Sequence, residues 1–255
     1  MSNKHNFIAI GSLGAKLLVA IIFSILISHN AIAQQTNLGA LMQEYGMVDI
    51  HELDPDILVE LKYSTEDNFV GRDMYGELEQ AYLEKEFASR VVRAQKILKQ
   101  RNSNYTLLIY DAARPISTQR VMRKMVEGTE LERFVADGTR GGRHNYGVAV
   151  DLTIATIDGK PLDMGAGFDD FTIAASVKGT ADTSDPKTRT IEVYRVYTES
   201  LVTKGVISRI AANNRILLLE VMLEAQLYPY RREWWHYEDI MPMDSVRSKY
   251  RLLDF

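Results

Sequence analysis

The 255-residue chain contains no cysteine. Disulfides and thiolate chemistry are therefore excluded, and any bound metal must be held by imidazoles and carboxylates. Basic charge is not in excess either: the formal net charge is -4 and the isoelectric point is near 5.8. Phosphate-backbone binding needs a concentrated basic surface, so nucleic acid is not expected as a partner. No internal repeat, no low-complexity linker and no glycine-rich phosphate loop after a strand-like run is present. No apolar run reaches the ~20 residues that a membrane-spanning helix needs.

What is present is close to a globular average, with 46% hydrophobic and 25% charged residues. The length suits one large domain or two small ones and is enough to bury a sizeable core. At the N-terminus, Lys4 and Lys16 precede an apolar run from Leu17 to Ile27, and Ala31-Ile32-Ala33 follows. A basic start, a short apolar stretch and small residues at the end predict a secretory signal peptide over residues 1–33, cut after Ala33. An uncleaved anchor is the alternative if Phe7 to Ile10 joins the apolar segment. No cysteine follows, so a lipoprotein anchor is excluded. The expected mature protein is one domain over 34–255, periplasmic or extracellular, with no stable membrane insertion after cleavage.

Residues 34–49 read as a polar, mobile lead-in. Ile57 to Tyr63 has strand-like composition, and Thr65 to Tyr75 reads as a loop. Glu79 to Arg101 carries a helical stripe of Leu83, Phe87, Val91, Ala94, Ile97 and Leu98. Tyr105 to Tyr110 reads as a buried strand. Pro115 keeps Arg114 out of the helical region, so Arg114 is expected on an extended segment at that strand's end. Thr118 to Val126 reads as a helix, Arg140 to Arg143 as a flexible basic loop and Val148 to Ile154 as β-rich. Residues 163–190 are rich in Asp, Gly, Thr and Ser and read as long loops over a site. Helices follow at Tyr194 to Thr203 and Asn214 to Leu227, and Arg232 to Tyr237 is aromatic and strand-like. Helices and strands mix without strict alternation, which indicates an α+β fold with helices packed beside a mostly antiparallel sheet.

Three of the five histidines, His51, His144 and His236, lie beyond the expected signal peptide. His144 ends a glycine-rich loop, and Asp151 follows inside an apolar run between Val150 and Leu152. A buried carboxylate needs a cation or a partner. Asp151 is therefore a metal ligand or points outward from a half-exposed strand. Glu233 and His236 share the segment Glu233-Trp234-Trp235-His236-Tyr237. Hydrolytic zinc sites often use three protein ligands with a nearby carboxylate as general base. Residues three apart on a regular strand face opposite ways, so Glu233 must sit where the strand begins or at a bulge to join His236. The plainer alternative is an aromatic core strand with a satisfied histidine. Arg114 could stabilise an oxyanion or simply pair with Asp111. His51, near Pro55, reads as a surface or turn residue, Trp234 and Trp235 as core or site wall, and Asp182, Asp185, Glu192 and Glu199 as solvated.

Five segments in order resemble the D-alanyl-D-alanine dipeptidases, the VanX-type enzymes of zinc DD-peptidase family M15. They are LKYSTEDNFVG at 61–71, YDAARP at 110–115, HNYGVAVDLT at 144–153, LDMGAGFDDF at 162–171 and EWWHY at 233–237. The resemblance implies a Hedgehog/DD-peptidase-like fold and one Zn²⁺ per chain, held by His144, Asp151 and His236. It implies Glu233 as general base and Arg114 as stabiliser of the oxyanion. It implies Tyr63 and Asp169 as holders of the substrate's amino end, and a D-Ala-D-Ala dipeptide or a peptidoglycan-derived peptide as substrate. Hydrolysis of the free dipeptide in cell-wall peptide metabolism is the leading expectation. A wall-trimming D,D-carboxypeptidase or L,D-endopeptidase of the same family is the alternative, and a non-catalytic wall-binding module a third. One departure stands out. The family carries a serine two positions before the first zinc histidine and often a second hydroxyl between; here Gly142 and Arg143 stand there. Arg143 either clamps the substrate carboxylate or is a solvated loop residue.

Overall fold

The computed structural model describes residues 38–177 and 190–255. The expected signal peptide, residues 34–37, Asp182 and Asp185 lie outside the described residues. In chain order the elements are α1 (Leu38–Glu44), β1 (Val48–Asp49), α2 (Ile50–Leu53), β2 (Leu58–Val59), β3 (Tyr82–Leu83), α3 (Lys85–Arg101) and β4 (Tyr105–Asp111). They continue with α4 (Ile116–Val126), β5 (Ala149–Thr156), α5 (Ile191–Thr203), α6 (Arg209–Glu224), β6 (Tyr228–Pro229), β7 (His236–Glu238) and α7 (Met243–Lys249).

The central sheet has the order β2-β4-β5-β7-β6. Only β2 runs parallel to its neighbour, β4; the other pairings are antiparallel. This is the expected α+β class with a mostly antiparallel sheet. Strands β4 and β5 are buried along almost their whole length. That explains why they read as continuous apolar runs rather than alternating ones. Helix α3 packs on β4, α6 packs on β5, and the two helices touch each other. Helix α5 lies against α6. Among the described residues, no helix is long and apolar enough to cross a membrane.

Several boundaries differ from the sequence reading, each for a physical reason. The segment read as a mobile lead-in folds from Leu38 onward: α1 buries Met42, and β1 pairs with β3. Helix α3 begins at Lys85 rather than Glu79, because Tyr82 and Leu83 are taken by that pairing. Glu84 then caps the helix by accepting from the Phe87 N–H at 3.0 Å. Of Ile57 to Tyr63, only Leu58 and Val59 pair with β4, and Lys62–Ser64 turns as a 3₁₀ helix. Helix α6 starts at Arg209, five residues before Asn214, because the Ser208 hydroxyl caps it by accepting from the Ala211 N–H at 2.9 Å. Of Arg232 to Tyr237, only His236 and Tyr237 are in β7; the residues before them form a turn.

Candidate active site

Strand register builds the centre. Asp111 on β4 faces Asp151 on β5, and Asp151 faces His236 on β7. The register slips between Ile109 and Asp111, which re-aims the end of β4. Asp151 is 3% exposed, so the half-exposed alternative does not hold. His144 arrives from outside the sheet on a single 3₁₀ turn, Arg143–Tyr146. Gly147 ends that turn in the left-handed region at φ 68°, and a Cβ there would stand 2.9 Å from the Glu84 backbone nitrogen. Glycine is what lets the His144 turn press against the start of α3.

Three donor atoms converge. Nδ1 of His236 lies 2.9 Å from Oδ1 of Asp151 and 3.1 Å from Nε2 of His144. Nε2 of His144 lies 3.4 Å from the same Asp151 oxygen. Tetrahedral ligands on zinc stand about 3.3 Å apart, given metal–donor bonds of about 2 Å. Nδ1 of His144 sits 2.7 Å from the Ala112 carbonyl oxygen. A carbonyl only accepts, so Nδ1 carries the proton and Nε2 offers a lone pair to the centre. Nε2 of His236 lies 3.2 Å from Oε2 of Glu238, which leaves Nδ1 as the inward lone pair. Burial opposes charge on His236, yet Asp151 and Glu238 on either side raise its pKa to about 10, so a proton on Nδ1 competes with a metal ion for that lone pair. Burial also works against ionised Asp151, but His144 and His236 hold its carboxyl far below the usual range. The arrangement calls for positive charge at its middle, and its N,N,O donor set fits a divalent metal ion.

Glu233 lies in the turn that precedes β7, which resolves the facing problem of residues three apart. Its Oε2 is 3.9 Å from Nδ1 of His236. Burial pushes its carboxyl up to about 8, against the pull of His236. Arg114 is 8% exposed and extended, as its proline neighbour requires. Its Nε donates to Asp111 Oδ2 at 3.1 Å, its Nη2 donates to the same oxygen, and its Nη1 donates to Gln119 Oε1 at 2.9 Å. Arg114 therefore makes the structural ion pair with Asp111 and also lines the central cavity. These contacts use three of its five N–H groups and leave two for a further acceptor.

That cavity has a volume of about 460 Å³ and joins all eight residues singled out from the sequence. In the same cavity lining, the Tyr63 hydroxyl lies 3.2 Å from both carboxylate oxygens of Asp169, and the Phe69 N–H donates to Oδ2 at 3.2 Å. Burial raises the Asp169 carboxyl to about 7. Arg143 is half-buried rather than solvated, which corrects one of its two readings. Its Nε lies 3.0 Å from Glu238 Oε2, and its Nη1 is buried with no hydrogen-bond partner. His51 is exposed and contacts the Ile57 carbonyl from a short helix, as expected of a surface residue. Trp234 and Trp235 are both buried, and Trp235 forms part of the cavity wall.

Four supporting residues were not found from the sequence. Asn145 holds the His144 turn, with its Nδ2 donating to the Arg114 carbonyl at 2.8 Å and its Oδ1 accepting from the Gly142 N–H at 2.8 Å. Gln119 orients Arg114. Arg215 is buried and donates to the carbonyls of Met164, Ala174 and Ser176, bracketing the loop that carries Asp169. Glu238 braces His236; its position two residues along the same strand was the signal that could have found it.

A buried His/Asp/His group beneath a cavity with a nearby carboxylate and a fixed arginine defines a metal-dependent hydrolase centre of the peptidase type. The chain belongs to peptidase family M15, whose profile, described as D-Ala-D-Ala dipeptidase, matches residues 43–189. It is also similar to the D-alanyl-D-alanine dipeptidase of Escherichia coli (strain K12), with 29% identity over 192 residues, covering 75% of this chain and 83% of that protein.

Proposed function

We propose that this protein is a zinc-dependent D-Ala-D-Ala dipeptidase that releases free D-alanine in cell-wall peptide metabolism. The observation that carries the reading is the convergence of His144 Nε2, Asp151 Oδ1 and His236 Nδ1 beneath one cavity. A zinc ion held by these three atoms would polarise the scissile carbonyl and make the attacking water more acidic. Glu233 takes the proton from that water and delivers it to the leaving amine. The free N–H edge of Arg114 donates to the developing oxyanion, and Asp111 and Gln119 fix its direction beforehand.

Asp169 and Tyr63 receive the substrate ammonium. A carboxylate fixed at this end of the cavity favours a free amino terminus and therefore a dipeptide over a longer chain. Arg143, which also lines the cavity, is the clamp for the substrate carboxylate. Export is part of the same proposal. It rests on the basic, apolar and small-residue pattern of residues 1–33, with the peptidase domain over 34–255. An N-terminus at Gln34 on protein recovered from the periplasm or medium is the expected result; an intact Met1 on cytoplasmic protein is the contrary one.

The deciding experiment incubates zinc-loaded protein with D-Ala-D-Ala, and separately with a pentapeptide stem ending in D-Ala-D-Ala, with and without chelator. Chelator-sensitive release of D-alanine from the dipeptide alone is expected. Cleavage of the pentapeptide instead would make the protein a wall-trimming carboxypeptidase, and no cleavage of either would defeat the enzymatic reading.

A further inference from the structure

We infer that Glu238 is a positioning residue that ties the pocket arginine Arg143 to the metal-ligand histidine His236. The inference rests on the proposed zinc site. One oxygen makes both contacts: Oε2 of Glu238 is 3.2 Å from Nε2 of His236 and 3.0 Å from Nε of Arg143. The two residues of β7 are an i, i+2 pair, so they share a face of the strand. Neither end of the pair is a free surface charge, since the side chains of Arg143 and Glu238 are 14% and 18% exposed. A solvated ion pair would carry little weight; this one stands beside a ligand group.

The geometry explains which imidazole nitrogen faces the centre. A carboxylate can only accept, so Glu238 holds the His236 proton on Nε2 and leaves the Nδ1 lone pair directed at Asp151 and His144. Such an outer carboxylate fixes the ring's rotation and strengthens the nitrogen as a ligand. Arg143 in turn holds the carboxylate of Glu238. Arg143 is thus joined through one oxygen to the metal-ligand shell. Arg143 and Glu238 work as a pair. An Arg143 that merely lined the cavity would affect substrate binding alone. An Arg143 that holds Glu238 affects metal affinity as well.

The test is a competition titration of full-length protein against a chromophoric zinc chelator, for wild type, Glu238→Ala, Glu238→Gln and Arg143→Ala, with far-UV circular dichroism to verify folding. Glu238→Ala is expected to weaken zinc affinity about 10–100-fold, the usual cost of losing an outer carboxylate. Glu238→Gln keeps an acceptor oxygen and is expected to show a smaller, measurable loss. Arg143→Ala is expected to weaken zinc affinity and to raise KM for D-Ala-D-Ala in the same protein. Wild-type zinc affinity in both Glu238→Ala and Arg143→Ala would overturn the inference alone. A wild-type protein that takes no zinc would overturn both this inference and the proposed function. If Glu238→Ala does not fold, the isosteric Glu238→Gln decides: weakened affinity supports the link, and unchanged affinity rejects it.

Discussion

Asp151 and His236 are direct partners across β5 and β7, and their inward atoms, Oδ1 and Nδ1, stand 2.9 Å apart. A one-residue slip of β7 would turn His236 to the other face of the sheet. The metal-ligand group is therefore a property of strand register, with only His144 supplied from outside the sheet. Asp151→Asn keeps the shape of this pair and removes its charge. We expect it to lose more zinc than the roughly 10–100-fold weakening typical of an outer partner. Zinc content after dialysis is the measurement, and retention at the wild-type level would show that Asp151 is not a ligand.

Glu233 stands just off the metal-ligand group, with Oε2 3.9 Å from His236 Nδ1. As the proposed base, it would act on protons and not on metal retention. Glu233→Gln should lower kcat for D-Ala-D-Ala by about 100- to 10,000-fold, with zinc content unchanged. A loss of zinc in parallel with activity would make Glu233 a ligand instead of a base.

The parts of the site that were legible in the sequence are those whose chemistry is out of place locally. Asp151 interrupts an apolar run, His144 follows Gly141-Gly142-Arg143, and Glu233 and His236 lie three apart in an aromatic segment. Each signal is contained within a few residues. Of the supporting residues, Glu238 was signalled by its place two residues after His236, whereas Arg215, Gln119 and Asn145 are ordinary polar residues until the fold supplies their partners. Arg215 meets carbonyls that precede it by about 40 to 50 residues, and Gln119 matters only because Arg114 folds back upon it. Strand lengths were overstated at Ile57 to Tyr63 and Arg232 to Tyr237 for a related reason. Apolar and aromatic composition reports burial, but Tyr63 and Trp235 are buried in cavity walls outside the paired strands. The lead-in was misjudged because Met42 becomes core only once β1 finds β3.

Asp169 has a carboxyl raised to about 7 by burial, from the ordinary 3.8. Folding is thus favoured by its protonated form: the associated stability is complete below pH 4 and disappears as pH rises through about 7. Asp169→Asn should therefore be more stable than wild type at pH 8, by about 1–3 kcal/mol, and no more stable at pH 4. Asparagine tolerates the left-handed φ of 58° at this position, so the backbone is preserved. The same variant should bind the dipeptide poorly, because the ammonium loses its anion. Thermal midpoints at the two pH values and KM at pH 8 check the pair of effects; a variant less stable at pH 8 would contradict them.

Gly147→Ala places a Cβ 2.9 Å from the Glu84 nitrogen at a residue with φ 68°. Backbone strain of this kind costs about 1–3 kcal/mol. Because Gly147 closes the turn that presents His144, zinc affinity should fall together with stability. Chemical denaturation and zinc titration on the same sample measure both. A wild-type zinc affinity despite lowered stability would mean that the turn relaxes away from His144.

Arg215 tests whether the Asp169 loop is held independently of the metal-ligand group. Arg215 is 2% exposed, and its guanidinium meets Met164 O and Ala174 O at 2.6 Å and Ser176 O at 3.3 Å. Burial lowers its pKa to about 10, so it is still charged at neutral pH. Methionine would fill much of the same space and leave all three carbonyls without that donor. An unpaired buried carbonyl costs about 1–3 kcal/mol, and Met164 and Ala174 each lose a donor at 2.6 Å, so Arg215→Met should lose about 2 kcal/mol or more. Lysine cannot rescue it, because a single ammonium does not reproduce the planar fork that spans three carbonyls. His144, Asp151 and His236 stand on other elements, so zinc content in the folded fraction should be unchanged. KM for the dipeptide should rise, because Asp169 sits between the anchored ends of the loop. Loss of zinc on Arg215→Met would show instead that the Asp169 loop and the metal-ligand group fold as one unit.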